Sequence, residues 1–405
     1  MSLILSNPLT AMRLPDAMRR FPWFSAEDWL HRFTEVEAPP APVIPPPPRL
    51  GLVLSCGGAR GLAHIGVIQV LEREKIPITA IIGSSMGAYV GTLWAAGYNG
   101  DALEVLAAEI KDRRTLLRLI DPVYPPVSGF LHGLKLRRHL EKSLNERTLA
   151  QLERPMYVVA TNLDTVTWEV MSMQTSAAAA VHVSCAIPGI VAPVTLDGKR
   201  YIDGGASQPL PVNLLRDLMH EGLPSTHALD NRDLGTDTKI HVQDRSPVDA
   251  IIAVNVMPTI ADLGNSDVLS YPLPPATPKS VLGRMFSAAN RKANLFAYGN
   301  VLDTFKRCLT SAQLRLIAEE GERADVLIHP FIEDSRWYDF EHFNRYIEAG
   351  RTAAEAALPK ILDLIQRPTP ASNRDATEGE VTIDSSTGQS SSKAGARQTH
   401  LPGYV

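Results

Sequence analysis

The chain has 405 residues, 44% hydrophobic and 21% charged, with a formal net charge of −4 at pH 7. That length allows one large domain or two ordinary ones, the composition supplies a core, and the weak negative charge excludes a nucleic-acid binder driven by bulk positive charge. Three cysteines, Cys56, Cys185 and Cys308, are odd in number and far apart, without metal-ligand spacing, so a reduced intracellular setting is expected rather than a disulfide scaffold.

At the N-terminus Met1, Leu3, Ile4 and Leu5 are apolar, but Asn7, Pro8 and Arg13 follow. No signal-peptide core forms there, and no uninterrupted apolar run is long enough to span a bilayer. The expected location is cytoplasmic, with any membrane contact peripheral, on the inner surface. Residues 1–37 read as an N-terminal extension. Ser25 is placed as an N-cap with Asp28 three residues on, and Phe24 and Trp29 occupy the positions of a hydrophobic staple, so a short helix is expected over 25–36. Its aromatics, Trp23, Phe24, Trp29 and Phe33, either pack on the main domain or contact a membrane interface or partner. Residues 38–49 are a stiff Pro-rich linker ending in Pro45-Pro46-Pro47-Pro48.

A compact domain is expected over 50–365. Apolar runs at 50–54 and 78–82 predict strands, and the patterns over 61–74 and 86–96 predict helices, the second stopping at Gly97. Further strands are expected at 156–160, 251–256 and 326–329, and helices at 134–144, 175–184 and 349–365. Residues 111–150 interleave Leu and Ile with Lys111, Arg113, Arg114, Arg118, Lys135, Arg137 and Arg138. That segment is either a gate meeting anionic headgroups or a solvated helix pair on the core. Residues 221–247 read as a polar insertion and 262–279 as another loop. The tail, 366–405, is too polar to offset its ordering entropy and is expected to be disordered. Strands alternating with helices predict an α/β fold with a mainly parallel central sheet covered by helices on both faces. Ligands in such sheets bind at the carboxyl ends of the strands.

Two motifs fall at such ends. Ser55-Cys56-Gly57-Gly58-Ala59-Arg60-Gly61 follows the first strand. Its glycines permit close approach of other atoms, and its amides precede a helix, so it favours a phosphate or an oxyanion. It is neither the dinucleotide fingerprint nor a P-loop, since no Gly-x-Gly-x-x-Gly and no Gly-Lys-Ser/Thr stands here. Arg60 either anchors the loop or touches substrate. Gly83-Ser84-Ser85-Met86-Gly87 follows the second strand. A side chain at the tip of a strand-to-helix turn needs small residues two positions before and after it, which fits Ser85 as nucleophile and not Ser84. A helix N-cap is the alternative role. A serine hydroxyl needs a base. Asp203, between a strand end and Gly204-Gly205, either supplies it or caps a turn. His220, His227, His241, His329 and His342 are available for a conventional triad by order, whereas His64 reads as a packed helix residue.

The ordered set Cys56-Gly57-Gly58-Ala59-Arg60-Gly61, Gly83-Ser84-Ser85-Met86-Gly87 and Asp203-Gly204-Gly205 resembles the patatin-like phospholipases. Ala63-His64-Ile65-Gly66-Val67, Ala186-Ile187-Pro188-Gly189 and Ala324-Asp325-Val326-Leu327-Ile328 resemble the bacterial neuropathy-target-esterase-like branch. The likeness covers about residues 50–365. It implies a three-layer sandwich and a Ser–Asp dyad, Ser85 being acylated and Asp203 acting as base. The amides of Gly57, Gly58 and Ala59 would form the oxyanion hole. Substrates would be acyl esters of phospholipids, lysophospholipids or neutral lipids, with no metal or other cofactor. The implied reaction is hydrolysis; acyl transfer through the same acyl-enzyme, or a non-catalytic lipid-binding module, are the alternatives. One departure stands out. Cys56 replaces the first glycine of the family's loop, which is tolerable only if that position has an ordinary φ.

Overall fold

A computed structural model describes residues 48–110, 121–125, 128–220, 248–265, 301–333 and 335–366. The expected N-terminal helix, most of the Pro-rich linker, the 221–247 insertion, residues 111–120 of the charged segment, most of the 262–279 loop and the tail lie outside the described residues.

The chain builds strand β1 (Leu50–Leu54), a 3-10 turn (Gly58–Leu62), α1 (Ala63–Arg73), β2 (Ile78–Ser84), α2 (Met86–Ala95), α3 (Gly100–Ile110) and α4 (Leu134–Leu144). There follow β3 (Met156–Asn162), β4 (Thr167–Val170), α5 (Ala177–Ser184), β5 (Val194–Leu196), β6 (Lys199–Asp203) and α6 (Val212–His220). The last elements are β7 (Ala250–Val254), α7 (Ile260–Asn265), α8 (Val301–Gly321), β8 (Val326–Ile328) and α9 (Phe343–Gln366). Hydrogen-bonded neighbours run β5-β6-β3-β2-β1-β7-β8, with β4 also on β3. The β3–β2, β2–β1, β1–β7 and β7–β8 pairs are parallel, and the β4, β5 and β6 pairings are antiparallel.

Side chains alternate between two apolar layers, as the pleat requires. Leu50, Leu52, Leu54, Ile81 and Val158 face the layer made with α1, α2, α5 and α9. Val53, Ile82, Val159, Ile251 and Ala253 face the layer made with Leu214, Leu215 and Leu218 of α6 and Ile317 of α8. The strands are therefore apolar on both faces, which explains why they read as continuous apolar runs rather than alternating ones. The expected sheet with helices on both faces is the architecture observed.

Some elements differ from expectation. The Gly-rich loop closes in a 3-10 turn before α1 begins at Ala63. Strand β7 ends at Val254, because the Asn255 side chain bonds both the amide and the carbonyl of Met257 and turns the chain. A short helix, α7, stands where a loop was expected. Thr259 and Asp262 cap it reciprocally, the Asp262 amide donating to Thr259 Oγ1 at 3.2 Å and the Thr259 amide to Asp262 Oδ2 at 2.6 Å. In the charged segment, Leu140 and Leu144 of α4 are buried, while Arg137 pairs with Glu141 at 2.8 Å. The helix described within that segment is thus amphipathic and lies on the core.

Helix α9 crosses α1 where neither carries a side chain. A Cβ on Gly66 would fall on the carbonyl oxygen of Ile347, and one on Gly350 would fall on that of Ala63. An added methyl must push one helix backbone off the other. Gly66→Ala and Gly350→Ala are each expected to lower the unfolding free energy by about 2 kcal/mol, even after the helix-propensity gain of about 1 kcal/mol. Urea unfolding measures this, and an unchanged midpoint for both would contradict the close crossing.

Candidate active site

Register brings the two halves of the site together. Strand β2 runs parallel to β3 and ends with Ser84 opposite Val159. Strand β6 runs antiparallel to β3 and ends with Asp203 opposite Ala160. Strand β4 pairs with both Val159 and Ala160. A residue has only two edges, so β2 and β6 must share the edge opposite β4. They approach along it from opposite directions, and their C-terminal ends meet at neighbouring residues of β3. Ser85 and Asp203, distant in the chain, become neighbours for this reason alone.

Ser85 sits at φ 54°, ψ −120°, the N-cap of α2. A non-glycine residue held at positive φ in a turn costs of order 1–3 kcal/mol and persists only where its surroundings enforce it. Here the crowding does so. A Cβ on Gly83 would lie 2.6 Å from the Gly87 carbonyl, and one on Gly87 would lie 2.6 Å from the Ser55 carbonyl. The sharp turn therefore needs both glycines, as the motif spacing predicts. The Ser85 hydroxyl donates to Asp203 Oδ2 at 2.5 Å, and Asp203 Oδ1 accepts the Gly205 amide at 2.7 Å. Ser84 has no such role: its hydroxyl is buried without a hydrogen-bond partner among the described residues.

Ser85 is 5% and Asp203 6% exposed. Burial raises the Asp203 carboxyl to about 6, against the opposing effect of the hydrogen bonds from Ser85 and Gly205. The carboxylate is thus a stronger base than a solvated one, yet ionised at neutral pH. The histidines hold other positions. His64 is fully buried, bonds the Ser55 carbonyl at 2.9 Å and is lowered to about 4 by burial. His329 bonds the Asn255 carbonyl and Asp262 Oδ2, both at 2.8 Å, and His342 bonds Asp339 at 2.7 Å. His227 and His241 lie outside the described residues, and nothing is described of the His220 side chain.

The Gly-rich loop packs directly on this turn: a Cβ on Gly61 would strike Met86, the residue after Ser85. Gly58 has φ +58°, and a Cβ there would strike the Trp337 carbonyl, so both backbone shape and space require glycine. Arg60 anchors the loop, donating from Nε to Ser335 Oγ at 2.8 Å and from a terminal nitrogen to the Ser335 carbonyl at 2.7 Å. The structure differs from expectation at Ala59. Its amide donates to the Trp337 carbonyl at 2.7 Å, which leaves Gly57 and Gly58 as the loop's candidate oxyanion donors. Cys56 is not among the residues with positive φ. Its amide bonds the Pro209 carbonyl at 2.9 Å, its side chain is buried, and burial and nearby Asp203 push its thiol up. The substitution of glycine at this position therefore imposes no backbone strain.

Sequence reasoning assigned no role to the last residue of α5 or the segment after it. Ser184 Oγ accepts the Ser85 amide at 2.9 Å, and the Ala186 carbonyl accepts the Asp203 amide at 2.9 Å. Thr161 Oγ1 donates to the Asp203 carbonyl at 2.9 Å, and Gln313 donates to the Gly205 carbonyl at 2.9 Å. These are small or common residues without a local signal; only Ala186-Ile187-Pro188-Gly189 stood out, and only by resemblance. Among the described residues no group of three or more His, Cys, Asp or Glu is arranged to hold a metal ion.

Residues 52–216 match the family profile described as patatin-like phospholipase. An uncharacterized NTE family protein of Mycobacterium tuberculosis is 41% identical over 167 residues, which is 41% of this chain and 45% of the relative. A second NTE family protein of that organism is 26% identical over 318 residues, 78% of this chain and 48% of the relative. Lysophospholipase NTE1 of Mycosarcoma maydis is 32% identical over 169 residues, 41% of this chain and 9% of the relative. The matched segments thus span less than half the length of each of these relatives. Over residues 52–216, which hold the ordered motifs, the chain is thus similar to the patatin-like phospholipases, and over the matched segments to NTE proteins.

Proposed function

We propose that the chain is a serine lipid acyl hydrolase of the phospholipase or lysophospholipase type, working through a Ser85–Asp203 dyad. The observation that carries this is the Ser85 hydroxyl donating to a buried carboxylate from a strained strand-to-helix turn. Asp203 takes the proton as Ser85 Oγ attacks the ester carbonyl, and the amides of Gly57 and Gly58 receive the oxyanion. Each such donor contributes about 3 kcal/mol to transition-state stabilisation. Asp203 then returns the proton to the departing alcohol or lyso-lipid. Water, activated by the same carboxylate, cleaves the acyl-enzyme. Arg60 acts here through the loop it anchors, not on substrate.

The lipid class draws support from the family and from the lysophospholipase name of one relative. Residues 50–365 would form the catalytic domain, with 1–37, 38–49 and 366–405 outside it. A lipid ester is met at a membrane or micelle surface, so contact from the cytoplasmic side, peripheral on the inner membrane, is the proposed setting. It agrees with three unpaired cysteines and with the finding that no described helix is long and apolar enough to cross a membrane.

A fluorophosphonate probe and a lysophospholipid hydrolysis assay test the reading. Ser85→Ala should lose labelling, and both Ser85→Ala and Asp203→Asn should lose at least about a thousandfold in kcat while keeping the fold. Substantial turnover by folded Ser85→Ala would sink the proposal. The pH dependence follows from the raised carboxyl. Activity should climb as Asp203 ionises, with a midpoint near 6. Stability should run the other way. The folded state holds the proton up to about pH 6, whereas an unfolded carboxyl releases it near its ordinary value of 3.8. The wild type therefore loses stability between about pH 4 and 6 relative to Asp203→Asn, on the order of 3 kcal/mol at most. Urea midpoints of both proteins across that window check the sign.

A further inference from the structure

Where β2 and β6 meet on one edge of β3, the ladder is interrupted, and backbone groups at the junction need other partners. The last residue of α5 and the residues after it supply them. Ser184 is fully buried; its hydroxyl accepts the Ser85 amide at 2.9 Å and donates to the Val159 carbonyl at 2.6 Å. Val159 is the β3 residue opposite the last residue of β2. Two residues on, the Ala186 carbonyl accepts the Asp203 amide at 2.9 Å. Two residues of one short stretch thus hold the amide of the nucleophile and the amide of the base.

We propose that Ser184 is a positioning residue for the nucleophile, the central tie of a clamp formed by Ser184 and Ala186 across the junction of the two strands. The inference rests on the reading of Ser85 as nucleophile and extends it. Ser184 holds the Ser85 backbone at positive φ by giving its amide an acceptor that the sheet cannot provide, and ties that amide to β3, whose next residue, Ala160, pairs with Asp203. Ala186 fixes the base from the same short stretch of chain, so displacement of one dyad member is transmitted to the other.

The test uses the full chain with wild type, Ser184→Ala and Ser184→Cys side by side. Rates of fluorophosphonate labelling, ester hydrolysis as kcat and KM, the acid limb of the pH profile and thermal melts are measured. Ser184→Ala should label and turn over about tenfold to a hundredfold more slowly, the cost of a slightly misplaced reacting group, with KM nearly unchanged. The acid limb should move to higher pH, because a looser Ser85 no longer holds the Asp203 carboxyl down through its hydrogen bond. A Ser184 that only filled space would move neither the limb nor the kcat-to-KM split. Ser184→Cys, with a weaker donor and acceptor in a similar volume, should fall between the other two. A folded Ser184→Ala protein with the wild-type labelling rate and acid limb overturns the clamp. If Ser184→Ala does not fold, a wild-type labelling rate in Ser184→Cys overturns it equally. Unlabelled, folded wild type would instead overturn the nucleophile reading, and the clamp with it.

Discussion

The arrangement of the site depends on one feature of the sheet: two strands running head to head along the same edge of β3. Parallel β2 delivers Ser85 from one side, antiparallel β6 delivers Asp203 from the other, and adjacent residues of β3 fix the spacing between them. The separation of hydroxyl and carboxylate is thereby set by backbone register, not by flexible side chains. The proposed dyad needs this more than a triad would. With no imidazole between nucleophile and acid, the carboxylate must lie within direct hydrogen-bond reach, and a register slip of one residue would turn Asp203 to the other face of the sheet.

Burial would make the Asp203 carboxylate adequate for the role of base proposed for it. A solvated aspartate is too weak to share the proton of a serine hydroxyl at neutral pH. Desolvation raises Asp203 to about 6, and the bonds from Ser85 and Gly205 stop it rising further. The same burial destabilises the fold at neutral pH, so the site carries a cost that the packed layers on either side of the sheet must offset. The strained φ of Ser85 is a second such cost. Beside Ser85, the Gly-rich loop that packs on Met86 is held by Arg60 and by the Trp337 carbonyl.

Much of this was legible in the sequence, and what was not has a physical reason. Strands β1 and β2 and the helices after them announce themselves through apolar runs ending in glycine-rich turns, and the spacing of Gly83 and Gly87 singles out Ser85 over Ser84. Whether Asp203 approaches Ser85 or only caps its turn could not be read locally, because its neighbours are fixed by its register with β3; it does both. The Ala59 amide was expected to serve the oxyanion, but its partner Trp337 is remote in the chain and carries no marker of that contact. The sequence could not settle the φ of Cys56; the conformation is ordinary and the side chain packs into the core. Ser184 escaped notice because one serine ending an alanine-rich helix has no pattern, and only the interrupted ladder gives it work. The charged segment over 111–150 was left open between gate and solvated helix, and its described helix, α4, packs Leu140 and Leu144 inward.

The central claim is that Ser85 carries the acyl group during turnover. Intact-mass and peptide-mapping mass spectrometry of the protein, acid-quenched during turnover of a slowly deacylating lipid ester, measures it directly. The account predicts one added acyl mass, mapped to the peptide bearing Ser85 and absent when the protein is quenched without substrate. Turnover with no adduct, or an adduct on another residue, would contradict it.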